Sequence, residues 1–300
     1  MKNRILNLSI CNLFAISLLF LIGSSCKDDT PVMPKELEKL PIVTALIPAG
    51  TFTMGSPATE AGRKDDEKQH TVKLSKFRMS KYEITNAQFA AFLNAKNIGS
   101  DLRYAAGTYP TEVLIYPSSF SDWGLHFSGT QWVPVAGFEN HPAIFVTWYG
   151  ATEFASYVGG TLPSEAQWEY ACRAAKTTPF NTGNYITNMQ ANYDWSIPYI
   201  KDTNTDYNGL GKTQAVGTYA ANAYDLYDMH GNVLEWCSDW YGTYPDNAQT
   251  NPTGVAMSLT HVIRGGSWNE SARNCRSAHR TNYESFVGLS YIGFRVVFVL

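Results

Sequence analysis

Apolar and polar positions alternate most clearly near the start of the chain. From Ile42, the run Ile-Val-Thr-Ala-Leu-Ile-Pro-Ala-Gly-Thr-Phe-Thr-Met-Gly reads as strand, turn, strand. Residues 56–70 are polar and charged, a loop, and Thr71 to Met79 alternates as a further strand. The period then lengthens. Thr85 or Asn86 can cap a helix that carries Phe89, Phe92 and Leu93 on one face. Thr147 to Val158 reads as a second helix, closed by Gly159-Gly160. Ser164-Glu165-Ala166-Gln167 is a capping box that opens a third, expected to end near Ala175.

Elsewhere the period is lost. Residues 97–140 read as a long ordered loop, and residues 176–260 as turns, aromatics and Asn/Asp/Gly clusters. Val262-Ile263 and Gly293 to Val299 read as short closing strands. The pattern predicts a single α+β domain with low regular secondary-structure content. Irregular backbone cannot pair all its N–H and C=O groups in ladders, yet buried ones must pair somewhere. Structural roles are therefore expected for Arg264, Arg276, Arg280 and Arg295.

The 300 residues suffice for one large domain or two small ones. With 18 Tyr, 15 Phe and 8 Trp and only 16% charged residues, the chain is a packed protein and not a disordered one. A net charge of -3 gives no footprint for nucleic acid.

The N-terminus reads as a targeting segment. Lys2 and Arg4 precede an apolar stretch from Ile10 to Ile22, too short for a comfortable membrane span. Gly23-Ser24-Ser25 before Cys26 resembles a bacterial lipobox, with Gly23 where Leu is usual. Residues 1–25 are thus expected to be removed and Cys26 lipidated; ordinary secretion is the alternative. Residues 26–41, with Pro31, Pro34 and Pro41, read as a lipid-anchored tether, and 42–300 as the domain. Lys27-Asp28-Asp29 resembles the surface-export signal of Bacteroidetes lipoproteins. The expected location is the bacterial cell envelope, anchored in the outer membrane and, on that signal, facing outward.

Cys172, Cys237 and Cys275 remain in the domain. An oxidising envelope favours one disulfide and one leftover thiol, with Cys237–Cys275 the preferred pair. No CxxC or HExxH is present, so a zinc site has no support.

Several segments resemble the formylglycine-generating enzymes, or sulfatase-modifying factors. They are Ile47-Pro48-Ala49-Gly50-Thr51-Phe52-Thr53-Met54-Gly55-Ser56, Lys81-Tyr82-Glu83-Ile84-Thr85-Asn86, and His141-Pro142 with Val146-Thr147-Trp148. Leu162 to Tyr170 and Leu226 to Trp236 are nearly diagnostic, and Arg264-Gly265-Gly266-Ser267-Trp268 and Gly293-Phe294-Arg295 close the series. The resemblance implies a decorated C-type-lectin-like α+β domain from about Ile47 onward.

It also implies a candidate groove at Ser267, Trp268, Glu270 and Cys275. Active relatives hold copper(I) there with two cysteines after the Gly-Gly-Ser. Here Glu270 stands at the first position. Counted forward from the glycines, Cys275 falls near the second; counted back from Arg276-Ser277-Ala278-His279-Arg280, it sits just before the arginine and both positions are empty. Keeping the arginines aligned favours the second register. Copper(I) prefers soft thiolates, and a carboxylate is a poor substitute. Copper is therefore not expected.

Calcium is. The resemblance places one site at Asp228, Gly231, Val233 and Glu235, the middle two through their carbonyls. A second falls at Asn192 and Tyr193 with Asn208 and Leu210, Asp206 being a substitute. Asp228 and Glu235 can equally cap loops or pair with an arginine. Ser267 with His261 or His279 lacks the G-x-S-x-G elbow of a hydrolase, so these histidines are read as packing residues. Leu234 stands where many relatives carry Trp, an alteration expected in the groove lining.

The expectation is a non-catalytic lipoprotein that binds a glycan, a peptide or an envelope protein, with exposed aromatics of 97–140 and 240–260 as stacking surfaces. The alternative is a copper- and oxygen-dependent sulfatase activator with a rearranged site.

Overall fold

The structure is a computed structural model that describes residues 40–116, 122–201 and 203–300. The signal segment 1–25, Cys26 and nearly all of the tether lie outside the described residues. Among those described, no helix is long and apolar enough to cross a membrane.

The strand-turn-strand at Ile42 is present as β1 (Thr44–Ile47) and β2 (Gly50–Met54), but the two do not pair with each other. The single strand expected from Thr71 to Met79 is likewise divided into β3 (His70–Leu74) and β4 (Phe77–Ser80). β1 pairs with β4, and β2 with β3, both antiparallel. The break was visible in the phase: Val72 and Leu74 are buried, then Phe77 and Met79, so the inward parity changes across Ser75-Lys76.

Three helices follow the capping signals. α1 (Asn86–Ala95) starts at Thr85, whose hydroxyl accepts from the Gln88 N–H while Gln88 answers with its side chain. Phe89, Phe92 and Leu93 face the core, as the spacing requires. α2 (Trp148–Tyr157) is capped by Thr147. α3 (Glu165–Arg173) is capped by Ser164 and stops at Ala174, which is left-handed at φ 44°.

The stretch 97–140 is not all loop. It carries a hairpin, β5 (Leu125–Phe127) with β6 (Trp132–Pro134), pinned by the Trp132 indole donating to the Ile98 carbonyl. Strands of three residues are too short to show a period. β7 (Leu234–Trp240) was also hidden, because both its faces are covered and its apolar residues do not alternate.

β7 is central to the site. It pairs antiparallel with β9 (His261–Arg264) and parallel with β11 (Ile292–Gly293), and β10 (Thr281–Tyr283) completes that sheet beyond β9. β8 (Gln249–Thr250) extends the β2–β3 pair, and β12 (Val297–Val299) joins β4. One apolar cluster lies among α1, α2 and β7; a second surrounds α3, β2 and β3; a third holds Phe180, Tyr193 and Cys275.

The arginines link these parts. Arg264, Arg276, Arg280 and Arg295 are almost completely buried. Arg280 grips Glu165 through Nε and Nη2 at 2.7 and 2.8 Å and donates to the Asp66 and Gly242 carbonyls. Arg276 grips Glu67 and Glu60 and donates to the Gly62 and Arg273 carbonyls. Arg264 bonds Glu169 and the carbonyls of Ser277 and His279. Burial opposes the Glu169 charge, but Arg173, Arg264 and the Gly55 N–H outweigh it and hold this carboxyl below its ordinary range. Each guanidinium thus satisfies loop carbonyls that no ladder reaches.

The expected disulfide is absent. Cys172, Cys237 and Cys275 are all free and buried. Cys237 packs in the cluster around α3, and Cys275 in the separate cluster with Phe180 and Tyr193.

Candidate functional site

β9 ends at Arg264, and the chain turns through Gly265 and Gly266, both at positive φ (104° and 73°). Gly266 has no substitute, since a Cβ there would lie 2.5 Å from the Cys275 Sγ. The turn carries the four groove candidates into one neighbourhood. Ser267 donates to Asn269 at 2.8 Å and to the Glu270 carboxylate at 3.3 Å, not to a histidine. Glu270 also accepts from Asn274 at 3.1 Å. Glu270 is half-buried, and burial raises its proton affinity against the pull of those two donors and Lys64.

Cys275 closes a 3-10 turn, Ala272–Cys275, with its thiol beneath the glycines. It is fully buried, so no open groove reaches the sulfur. Burial and then the Glu270 charge push the thiol well up. Next to it, His230 donates through Nδ1 to the Cys275 carbonyl at 2.7 Å and accepts the Asn181 N–H. Burial holds His230 neutral, down to about 4. Cys172 faces that ring and Ser277, its thiol pushed up to about 12 by burial. The loop's own side chains beside Cys275 offer oxygens, from Ser267, Asn269 and Glu270. With Cys275 and Cys172 both kept protonated by burial, the set does not fit a two-thiolate copper centre, which needs deprotonated soft ligands.

Trp268 is half-buried at the rim, meets Trp123 edge-on at 5.5 Å, and donates its indole N–H to the Ser290 carbonyl. The other expected stacking surfaces are largely covered: Tyr104, Tyr109, Phe138, Trp240 and Tyr241 are half-buried, Trp132 and Tyr244 buried, and Tyr116 exposed. Leu234 is core and no groove wall. His261 lies flat between Trp148 and Trp240, at 3.9 and 3.8 Å, as a packing residue.

The first calcium set lies directly behind this loop. Asp228 accepts the Gly217 N–H at 2.6 Å. Glu235, in β7, has both oxygens taken, by Arg295 at 2.6 and 2.7 Å and by the Trp168 indole at 2.8 Å. Sequence reasoning missed Glu83, which joins them: it is buried and accepts from Asn232 and from the Val233 N–H. Burial, then the Asp228 and Glu235 charges, push Glu83 well up, and burial takes Asp228 to about 6. Among the described residues no three His, Cys, Asp or Glu side chains are disposed to hold a metal. With Glu235 saturated by Arg295, this set is a charge-paired cluster more than a carboxylate cage.

The second set fits calcium better. Asn192 is buried, and its Oδ1 has no hydrogen-bond partner among the described residues. Its Nδ2 donates to the Lys212 carbonyl and to Asn232. Leu210 packs on the cluster that holds Tyr193. Tyr193 spends its hydroxyl on Asn204, and Asn208 turns its amide to Asp206. An orphaned, buried amide oxygen is what a hard cation would satisfy. Asn232 connects the two sets and the loop: it bonds Glu83, Asn192 and Gln214, and its carbonyl accepts the Trp268 N–H. Only its place in the Leu226–Trp236 segment hinted at this.

Residues 31–300 match the sulfatase-modifying factor enzyme 1-like domain, and the chain belongs to that family. It is 33% identical over 268 residues to the serine/threonine-protein kinase pkn1 of Chlamydia caviae, covering 87% of this chain and 39% of the kinase. The match therefore spans about two fifths of that relative's length. It is 32% identical over 294 residues to the formylglycine-generating enzyme of Thermomonospora curvata, covering 87% of this chain and 94% of the enzyme. The structure of PvdO from Pseudomonas aeruginosa superposes with a TM-score of 0.65 at 26% identity, covering 86% of this chain and 94% of that one.

Proposed function

We propose that this chain is an envelope lipoprotein that keeps the family fold without its cysteine-oxidising chemistry and binds a glycan, a peptide or another envelope protein. One observation carries the reading: the single thiol of the Gly-Gly-Ser loop, Cys275, is sealed beneath Gly266 and packed in an apolar cluster that keeps it protonated. The half-buried Trp123–Trp268 pair at the same rim supplies an aromatic surface. The lipobox-like N-terminus supports the anchored location.

Titration of the reduced protein with copper(I), in competition with a coloured chelator, tests the first half. No stoichiometric binding is expected, and no oxygen-dependent conversion of a peptide carrying a sulfatase cysteine motif. Tight copper(I) uptake abolished by Cys275→Ser would instead establish the sulfatase-activator reading. Glycan and peptidoglycan panels with an envelope pulldown test the second half. Binding that weakens in Trp268→Ala is expected; absence of any ligand in all three sinks it.

A further inference from the structure

A separate cavity of about 250 Å³ opens between the N-terminus of α3 and the chain after β7. None of its lining residues belongs to the Gly265–Cys275 loop. Its floor is Asp239, only 3% exposed. Asp239 Oδ2 accepts the Glu165 N–H and the Ser238 hydroxyl, both at 3.0 Å. Its Oδ1 receives no hydrogen bond from the described residues. Gly254, at φ 77°, leaves the space above it, since a Cβ there would lie 2.8 Å from the Asp239 Cβ.

The polar lining is unbalanced. Arg280 spends every N–H-bearing nitrogen on Glu165 and on two backbone carbonyls. The Tyr244 hydroxyl donates to Glu165, and the Gln249 amide N–H donates to Asn247. His70 is turned with Nδ1 to the Lys68 carbonyl, which can only accept, so in the neutral ring Nε2 is left as an acceptor. The free side-chain groups are thus Asp239 Oδ1, His70 Nε2 and the Gln249 carbonyl. Among the lining side chains, the Trp240 indole N–H and the Thr243 hydroxyl at the partly open rim are the donors left over. Arg280 is held by Glu165, which Arg264 also approaches at 3.3 Å, and among the described residues no cationic side chain pairs directly with Asp239. Met54, Tyr244, Pro245, Pro252 and Val255 supply apolar wall.

A cavity that offers acceptors, one unpaired carboxylate and apolar sides selects a ligand that brings donors, positive charge and an alkyl stem. We propose that this cavity binds a primary alkylammonium group, the lysine side chain of a peptide or a small free amine, with the ammonium on Asp239. The site goes beyond the binding role assigned to the Trp268 rim and stands whether or not that role holds. Burial and then the Glu165 charge push Asp239 up to about 7. The groups facing it are Glu165, Arg280, His70 and Ser238, with His261 on its own carbonyl. Binding the ammonium therefore favours the ionised carboxylate, and affinity falls as the pH drops below about 7.

The test is NMR titration of the whole domain with n-butylamine, N-acetyl-lysine amide and n-butanol at pH 8 and pH 5.5. Saturable shifts confined to the cavity lining, in the 239–255 segment and around Met54, His70, Glu165 and Arg280, are expected for both amines. The alcohol, of the same shape, should bind at least tenfold more weakly. Asp239→Asn keeps one oxygen for the Glu165 N–H and so keeps the helix cap. It should lose amine binding tenfold or more with an unchanged fold by circular dichroism. Gln249→Trp, at a partly exposed wall position, should block both amines without touching Asp239. Equal binding of alcohol and amine, or full affinity in Asp239→Asn, overturns the proposal. If only the free amine binds, the peptide arm fails and a small-molecule site stands.

Discussion

At the scale of single residues, the molecule is held by charges that chain neighbours cannot supply. Arg295 meets Glu235 across 60 positions of sequence and donates besides to the carbonyls of Ser80, Lys81 and Tyr227. A buried pair of this kind is not strongly stabilising in itself, because desolvation offsets most of the attraction. Removing one partner is different: it strands the other in an apolar interior beside Glu83 and Asp228. Arg295→Met is expected to cost about 3–5 kcal/mol of unfolding free energy. The double variant Arg295→Met/Glu235→Leu should recover part of that, though not all, because three carbonyls stay unpaired. Denaturant melts measure both. A single-variant cost below about 1 kcal/mol would show that these arginines do not hold the loops.

At the scale of elements, what the sequence reveals depends on whether the signal is local. Helix starts are local, and Thr85, Thr147 and Ser164 each cap where their hydroxyls suggested. Ser164 Oγ accepts the Gln167 N–H, Gln167 answers at 2.9 Å, and Asp239 takes the Glu165 N–H, so the start of α3 is satisfied from two directions. Ser164→Ala is expected to lower stability by about 1 kcal/mol and Ser164→Asp by much less. Equal losses would mean that packing, not capping, fixes this end. Strands that draw partners from afar were less legible. β7 hides because it is covered on both faces, and the β3–β4 break showed only as a change of parity. The same limit applies to the site. Glu270 and Cys275 were readable as a departure from the two-thiol pattern, being close in the chain. The claim of Arg295 on Glu235, and the place of Glu83 beside it, were not, since both arise from contacts made only on folding.

At the scale of the whole molecule, the open question of chemistry moves from the loop to its support. Irregular segments such as 181–201 and 203–233 carry little regular structure, so a few buried polar atoms decide how firmly they sit. Asn232 ties this region to Glu83 and to the Gly-Gly-Ser loop, yet Asn192, its neighbour in that network, leaves Oδ1 unpaired among the described residues. An unmet buried acceptor costs about 1–3 kcal/mol. A calcium ion using that oxygen with nearby carbonyls would remove the cost and stiffen the platform beneath Trp268. Calcium at about a hundred times its dissociation constant should then add about 2.7 kcal/mol, raising Tm by roughly 5 °C or more over the protein in EGTA. Asn192→Leu should abolish that response, whereas Asp228→Asn, at the charge-paired set, should leave most of it. Magnesium, which resists dehydration and prefers a tighter shell, should substitute poorly. Identical melting in calcium and EGTA would remove calcium from the account. The Asn192 oxygen would then be a built-in weakness, and the 181–201 and 203–233 segments the first parts of the domain to open in hydrogen exchange.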